Sequence, residues 1–322
     1  MYLTRDQAKA LFIGFNSQYQ AAFAQHRPIW QDYSTQMNSN TKQALYHWID
    51  QMPSLREWIG ERIVNNVALR DYTVPNKNFE HTFGVNKFDL ADDINGAYAQ
   101  AVQTQGSAAA RWPDEQMAAT VMNGTTALCY DGHPFFYASH PKNMDRPGGG
   151  TFSNLLTGSA YDLTADPTGV WQAASQAMAG IRGAGGAPLG LRADTLMVPP
   201  SLKRAALEIA RGDLIPQTFA ATGPATTSGI VAAASKSNVY VGDITVIVNE
   251  YIEQDNPFGV VMCTKLGIKP FVWQLRQPAV FIPVTDPGFV QPFYKQEFEF
   301  GVEARGAGCY SLPFLAIRVA KQ

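Results

Sequence analysis

The strongest constraint on the fold is a run of alternating residues near the C-terminal end. Between Phe293 and Arg305, the apolar residues Phe298, Phe300, Val302 and Ala304 alternate mainly with charged ones. Successive side chains of a strand point to opposite faces, so this pattern predicts a β-strand with one buried side. A strand of this kind needs partner strands, and its apolar face needs a covering layer of other elements.

A helix is predicted over Thr4–Gln25. Within it Leu11, Phe15 and Tyr19 follow one another at a spacing of four and form an apolar stripe, which Phe12 widens. A helix with so broad a stripe must bury it against a surface.

Two strands, Ile63–Val74 and Phe79–Phe88, are predicted to form a long hairpin around turn residues 75–78. An isolated hairpin is marginally stable in water, so it also needs a surface, in its own chain or in a neighbour. Lys77 and Lys87 are candidate partner or phosphate contacts, although charges that protect a strand edge explain them more simply.

The remaining segments mix helices and strands. A second helix is predicted from about residue 40 to Met52, ended by Pro53. A longer one, over Ala91–Asn123, is expected to kink or divide at Gly106 and Trp112-Pro113. Because the elements do not follow a βαβ rhythm, the predicted fold class is α+β.

Composition narrows the functional class. Only 16% of the 322 residues are charged, against about 25% in typical domains, and charge is depleted where proteins cover their surface with partners. The net charge of −2 argues against a strongly basic nucleic-acid reader. Three scattered cysteines do not make a disulfide scaffold. We expect no secretory signal at the N-terminus and no membrane-spanning helix.

Candidates for chemistry are few. Cys129, His133 and His140 could bind a metal or form a cysteine–histidine pair, but their spacing matches no usual zinc motif, and buried, satisfied side chains are the simpler interpretation. The acidic residues Asp89, Asp92 and 93 could hold a cation, but they also suit a helix N-terminus. There is no P-loop and no nucleophile elbow. We therefore expect no enzyme and no cofactor.

Several runs of residues carry a family resemblance. They are Tyr46-x-Trp48, Met52-Pro53-x-Leu55-Arg56-Glu57-Trp58-Ile59-Gly60-Glu61-Arg62, Asn76-Lys77-Asn78-Phe79-Glu80, Asp92-Asp93-Ile94-x-Gly96, Asp131-Gly132-His133-Pro134-Phe135-Phe136 with His140-Pro141, and Asp194-Thr195-Leu196-Met197-Val198-Pro199-Pro200. In this order they resemble the Mu-like phage major head subunit family over about residues 10 to 250.

The resemblance implies the Hong Kong 97-type capsid fold, an α+β fold with an N-terminal arm, an extended hairpin loop, a peripheral domain and an axial domain. The implied domains are 1–55 (arm and helices), 56–90 (extended hairpin loop), 91–165 (peripheral domain with spine helix), 166–290 (axial domain), 291–310 (peripheral-domain strand) and 311–322 (C-terminal strand).

The implied function is that of a major capsid protein, which forms hexamers and pentamers of an icosahedral shell around double-stranded DNA. The expected partners are further copies of the chain, a separate scaffold protein, a portal and a decoration protein. The expected location is the virion, after assembly in the host bacterial cytoplasm. A cellular cargo-holding shell of the same fold, a tail or tube subunit and a cysteine hydrolase remain alternatives.

The candidate site residues are assembly contacts. Phe12, Phe15 and Tyr19 are expected to anchor the arm. Arg and Trp are typical interface anchors, and Arg/Glu pairs can fix the register of two contacting surfaces. Both kinds of residue occur together at the root of the predicted loop, in Arg56, Glu57, Trp58 and Arg62. The full set is Phe12, Phe15, Tyr19, Arg56, Glu57, Trp58, Arg62, Lys77 and Phe79.

Overall fold

The chain folds into two compact units. The computed structural model describes residues 5–49, 69–91, 96–144, 150–183, 186–217, 234–284 and 297–321. The first unit is formed by Met1–Tyr46, Thr73–Thr120 and Phe271–Cys309, and the second by His47–Tyr72, Val121–Pro270 and Tyr310–Gln322. Both contain helices and sheets, which confirms the predicted α+β class.

The α-helices are interleaved with strands along the chain. Within the described residues they are α1 (Arg5–Gln25), α2 (Trp30–Tyr33), α3 (Lys87–Ala91), α4 (Ala97–Met122), α5 (Pro167–Ala179) and α6 (Lys203–Arg211). The predicted first helix is confirmed over its described part. None of these helices is long and apolar enough to cross a membrane.

The strands range from two to fourteen residues. In the described residues they are β1 (Ser34–Asn38), β2 (Gln43–Ile49), β3 (Leu69–Pro75), β4 (Lys77–Asn86), β5 (His140–Pro141), β6 (Thr151–Phe152), β7 (Leu155–Thr157), β8 (Thr195–Val198), β9 (Leu214–Gln217), β10 (Ala234–Ser237), β11 (Thr245–Val248), β12 (Phe258–Met262), β13 (Phe271–Val284), β14 (Glu297–Tyr310) and β15 (Ala316–Ala320).

A four-stranded sheet of order β1-β13-β14-β4 forms the first unit's framework. β1 runs parallel to β13, and β14 runs antiparallel to β4 with Phe300 opposite Phe83. The alternation that predicted a strand before Arg305 is confirmed in β14, where Phe298, Phe300 and other even-numbered residues are buried. The covering layer on this apolar face includes α1.

The predicted hairpin is wrong in its pairing. β4 pairs with β14 and not with the strand before it, while β3 pairs with β2. The predicted helix from about residue 40 to Met52 is also wrong, because Gln43–Ile49 is a strand. Its residues alternate between exposed (Leu45, His47) and more buried (Tyr46, Trp48), which is the period of a strand. A two-stranded ribbon therefore exists, but β2 and β3 form it.

α4 is one continuous helix and is not divided at Gly106 or Pro113. A Cβ atom at Gly106 would lie 2.6 Å from the carbonyl oxygen of Tyr19, so this glycine lets α4 approach the backbone of α1 closely. The glycine that sequence reasoning took as a helix breaker is thus a helix–helix contact.

The second unit is built on a five-stranded sheet of order β11-β8-β12-β15-β7. Its strand β8 is buried at all four positions and lies between β11 and β12. α5 begins at the N-cap Asp166, whose side chain accepts a hydrogen bond from the backbone N–H of Gly169. Residues 127–140 form mostly turns and bends.

A buried carboxylate fixes the chain between α1 and α2. Asp114 on α4 is 1% exposed; its Oδ1 accepts the backbone N–H groups of Ile29 (2.9 Å) and Trp30 (2.7 Å). Its Oδ2 lies 2.6 Å from Nε2 of His26. All three groups belong to the segment that leaves α1, so one side chain holds this segment on α4.

We expect Asp114→Ala to lower the free energy of unfolding of the first unit by about 3 kcal/mol, because two buried N–H groups lose their acceptor. Alanine is the better helix former, so helix propensity works against this loss. Urea unfolding followed by tryptophan fluorescence measures it, since Trp30 packs 6.1 Å from Trp273. The matched control is Glu115→Ala at the exposed neighbouring position, and equal stability of the two variants would contradict the role of Asp114.

Candidate functional site

The predicted arm residues lie inside the first unit. Phe12 and Phe15 each lie 5.5 Å from the ring of Phe300, and Tyr19 stacks on Phe281 at 5.0 Å. All three are at most 6% exposed, and burial raises the pKa of Tyr19 to about 12. In this structure they pack against their own chain, and contact with a neighbour stays a prediction.

The other predicted contacts divide into two groups. Lys77 is exposed at the start of β4, and Phe79 is half-buried with its ring 5.1 Å from Trp112. Arg56, Glu57, Trp58 and Arg62 lie outside the described residues. Phe79 lines a groove at the surface of the first unit. Phe12, Phe15 and Tyr19 lie in the hydrophobic core of that unit.

Sequence reasoning missed an apolar groove in the first unit. It has a volume of about 580 Å³ and lies between α4 and β4. We call it the α4 groove; its main lining residues are Phe79, Phe83, Ala101, Gln105, Ala108 and Trp112. The small residues of α4 at helical spacing were a signal in the sequence, but only the fold brings β4 alongside them.

Cys129, Asp131 and His140 form a compact cluster in the second unit. The Cys129 thiol lies 3.0 Å from Oδ1 of Asp131, and Nδ1 of His140 lies 2.5 Å from Oδ2 of the same Asp131. His133 donates its backbone N–H to the same Asp131, while its ring stacks on Tyr137. Asp131 is therefore the centre of the cluster, although sequence reasoning had singled out only its cysteine and histidine neighbours.

The cluster is closed by hydrogen bonds. Nε2 of the fully buried His140 lies 3.1 Å from the carbonyl oxygen of Phe135. Both ring nitrogens of His140 therefore lie beside hydrogen-bond acceptors of the second unit. The candidate ligand atoms of Cys129, Asp131 and His140 lie within 4.8 Å of one another, which is near enough to hold an ion.

The pKa shifts agree with a structural role. Burial raises the pKa of the Cys129 thiol, and Asp131 beside it raises it further. A nucleophilic cysteine needs a lowered pKa, so the raised pKa of Cys129 gives no support to a cysteine hydrolase. Burial alone would raise the pKa of Asp131, but hydrogen bonds from His140 and Cys129 outweigh it and lower that pKa.

A further buried carboxylate, that of Asp194, lies at the start of the sequence run 194–200. Asp194, which precedes β8, accepts hydrogen bonds from the backbone N–H of Thr264 (3.0 Å to Oδ2) and from its hydroxyl (2.7 Å to Oδ1). It also accepts the hydroxyl of Thr195. This carboxylate ties the start of β8 to the chain just after β12.

Nearly the whole chain matches one family model. The model describes the Mu-like prophage major head subunit gpT, and it matches residues 8–165, 156–252 and 236–322. The chain belongs to this family. The family resemblance that the sequence runs indicated is confirmed.

Two relatives within the Mu-like head subunit family are similar in sequence. The major capsid protein of Escherichia phage Mu is 33% identical over 150 residues, which are 46% of this chain and 49% of that protein. The Mu-like prophage FluMu major head subunit of Haemophilus influenzae is 31% identical over 171 residues, 53% of this chain and 54% of that protein. The chain thus spans about half the length of the relatives it matches.

Solved capsid structures share the fold. The procapsid of bacteriophage JBD30 has a TM-score of 0.58 and 23% identity, covering 99% of this chain and 76% of that one. A virus-like particle from Pyrococcus furiosus has a TM-score of 0.53 and 10% identity, covering 96% of this chain and 99% of that one. The gpT family member described here therefore has the Hong Kong 97-type capsid fold, as the sequence implied.

The Asp131 cluster gives a pH-dependent prediction. The folded-state pKa of Asp131 lies below its ordinary value of 3.8, so the unfolded chain binds the proton first. This contribution to stability is present above pH 3.8 and is lost as the pH falls towards the folded-state pKa. Asp131→Asn should lose stability at neutral pH and show a shallower decrease between about pH 5 and pH 3.

Thermal unfolding at a series of pH values measures both effects. The matched control is Asp243→Asn, since the Asp243 side chain is 61% exposed and pairs with the exposed Arg192 at 3.3 Å. If the stability of Asp131→Asn decreases with falling pH as steeply as that of the unsubstituted chain, the role of the cluster is contradicted.

Proposed function

We propose that this chain is the major head subunit of a Mu-like tailed phage or prophage. In this proposal its copies form the hexamers and pentamers of an icosahedral shell that encloses double-stranded DNA. The observation that carries the proposal is the family match over nearly the whole chain, together with the shared capsid fold. The work of such a subunit is mechanical, and its functional residues are contacts between copies.

The two compact units support a proposed division of domain roles. We assign the first unit, with its four-stranded sheet and α4 as spine helix, to the peripheral domain. The second unit, with its five-stranded sheet, is assigned to the axial domain. The ribbon of β2 and β3, which encloses residues 50–68, is assigned to the extended loop in place of the hairpin first expected.

The charge of the chain suits a container for DNA. A net charge of −2 and a low content of charged residues give weak attraction to phosphate, and strong binding to the inner wall would hinder DNA packaging and ejection. The proposed partners are further copies, a separate scaffold, a portal and a decoration protein. The proposed place of assembly is the host bacterial cytoplasm, and the proposed final location is the virion.

The assembly state of the purified full chain tests this function. We expect closed, round particles, or discrete hexamers and pentamers, in sedimentation and negative-stain electron microscopy, because each copy covers apolar surface of others. The experiment includes candidate scaffold proteins co-expressed with the chain. A stable monomer under all these conditions, or filaments, would contradict the proposal.

The cargo distinguishes the phage head from the alternative, a cellular cargo-holding shell. The likeness to the Pyrococcus furiosus particle shows a shared fold and leaves the contents open. Nuclease-protected double-stranded DNA in particles from phage-producing cells is expected for a head subunit. Packaged protein without DNA would favour the cellular shell.

Trp58, which lies between β2 and β3 in the sequence, is a predicted anchor of assembly. We expect Trp58→Ala to give folded, soluble subunits that do not close shells, because truncating an aromatic anchor at an interface commonly costs about 2 kcal/mol or more per contact. Trp58→Phe keeps an aromatic ring and should assemble in part. Shells of normal yield from Trp58→Ala, counted by sedimentation, would remove Trp58 from the assembly contacts.

A further inference from the structure

Three side chains of different chemistry converge on one point in the second unit. Among the described residues, Cys129, Asp131 and His140 form a group in which a sulfur, a carboxylate oxygen and a ring nitrogen lie within 4.8 Å of one another. Asp131 lies between the other two, 3.0 Å from Sγ of Cys129 and 2.5 Å from Nδ1 of His140. Cys129 is a free thiol, so its sulfur is available as a ligand.

The ring of His140 is held with one nitrogen turned towards Asp131. Its Nε2 lies 3.1 Å from the carbonyl oxygen of Phe135, and a carbonyl oxygen can only accept, so Nε2 is the donor of this hydrogen bond. The same carbonyl accepts a hydrogen bond of 2.7 Å from the side-chain amide of Asn154, which fixes it. Metal-binding histidines are commonly oriented in this way, by a carbonyl at the ring nitrogen that does not bind the metal. Nδ1 is therefore the nitrogen that can bind an ion.

The atoms that face one another in the cluster all carry lone pairs. Nδ1 of His140 and Oδ2 of Asp131 are 2.5 Å apart, and their lone pairs repel unless a proton or a cation lies between them. The thiol proton of Cys129 has the corresponding place beside Oδ1 of Asp131. The metal-free cluster thus contains two protons, and one divalent cation can replace both.

This exchange leaves the net charge of the cluster unchanged. With its two protons the cluster is neutral, because the thiol is uncharged and the Asp131–His140 pair sums to zero. With a divalent ion, the thiolate and the carboxylate balance the charge of the ion, and the imidazole is neutral. His140 is fully buried and Cys129 is 4% exposed, and an unbalanced charge at such a place costs much free energy. A divalent ion can therefore occupy the cluster without that cost.

The ligand types and distances suit Zn²⁺. Bonds of about 2.3 Å to sulfur and about 2.0 Å to nitrogen and oxygen place the ligands of a tetrahedral ion about 3.3–3.5 Å apart. The two pairs at 2.5 and 3.0 Å need to separate by less than about 1 Å to reach this spacing. Thiolate and imidazole favour Zn²⁺, whereas Mg²⁺ and Ca²⁺ prefer oxygen ligands. The ring of His133 stacks on Tyr137, so the fourth position is assigned to water.

We propose that Cys129, Asp131 and His140 bind one structural Zn²⁺ ion in each copy of the chain. The ion bonds to Sγ of Cys129, to a carboxylate oxygen of Asp131 and to Nδ1 of His140, and the two protons are released to solvent. It ties the turn at 129–131 to β5, which begins at His140. The inference goes beyond the proposed function, since it concerns a site within one subunit and not contacts between copies.

The metal content of the purified full chain tests the proposal. The chain is produced in Zn²⁺-supplemented medium, so that the ion is present while the buried ligands fold, and is then dialysed against metal-free buffer. Mass spectrometry of the metal should give about one Zn²⁺ per chain, and at least about tenfold less in Cys129→Ala. The matched control is Cys263→Ala, which removes another buried cysteine of the same unit and should retain the ion.

Co²⁺ in place of Zn²⁺ gives a measurement that needs no variant. Co²⁺ bound to a thiolate shows a sulfur-to-metal charge-transfer band in the near ultraviolet, which Co²⁺ held by surface carboxylates does not show. The unsubstituted full chain loaded with Co²⁺ should show this band. Its thermal midpoint should also fall by several degrees when a chelator removes the ion, because an ion that binds only the folded chain stabilises it.

Each of three results would overturn the inference. They are the loss of all Zn²⁺ from the unsubstituted chain on dialysis, an equal Zn²⁺ content in Cys129→Ala, and a Co²⁺-loaded chain without the charge-transfer band. If Cys129→Ala does not fold, the Co²⁺ spectrum of the unsubstituted chain decides. All of these measurements are made on folded subunits, whether or not they assemble, so the proposed function is tested separately.

Discussion

The packing of α1 on the sheet of the first unit is the interaction on which that unit depends. Phe300 of β14 is at its centre, with the rings of Phe12, Phe15 and Phe83 all within 5.5 Å. Aromatic side chains bury large areas, and edge-to-face and offset pairs add to the gain. Because these rings come from α1, β4 and β14, the cluster joins segments that are more than 200 residues apart in the chain.

This cluster also explains the close approach of α1 and α4. The apolar stripe of α1 covers the sheet, and Gly106 lets α4 pass over the backbone at Tyr19. Asp114 then holds the chain that leaves α1. The helix expected to form the N-terminal arm is therefore part of a folded unit in this structure, and its exposed side, where Ile13 is 72% exposed, is the side left for other contacts.

The local elements could be predicted from the sequence where one periodicity dominates. The spacing of four in α1 and the alternation in β14 gave the correct element, and the predicted end of α1 at Gln25 is correct, whereas β14 continues to Tyr310, five residues beyond the predicted end. Pairing could not be predicted, because β4 meets β14 across more than 200 residues and local turn signals at 75–78 favoured a hairpin. In β2 the strand period was present, but helix-forming residues and the following proline outweighed it.

The candidate site, like the fold, could be predicted from the sequence only in part. The sequence predicted that Cys129 and His140 would be satisfied, and the structure adds Asp131, which satisfies them. The α4 groove could not be predicted, since it depends on which strand lies beside α4, and neither could the two buried polar atoms, on Gln105 and Trp112, that have no hydrogen-bond partner among the described residues. Unpaired buried groups are a property of packing in three dimensions, and residue identity alone does not indicate them.

The central claim is that this chain is a shell subunit whose two units keep their folds in the particle. A cryo-electron microscopy reconstruction of assembled particles tests it most directly. The account predicts an icosahedral shell in which every subunit shows the four-stranded sheet with α1 packed on Phe300. A helical tube, or subunits in which α1 has left the sheet, would contradict it.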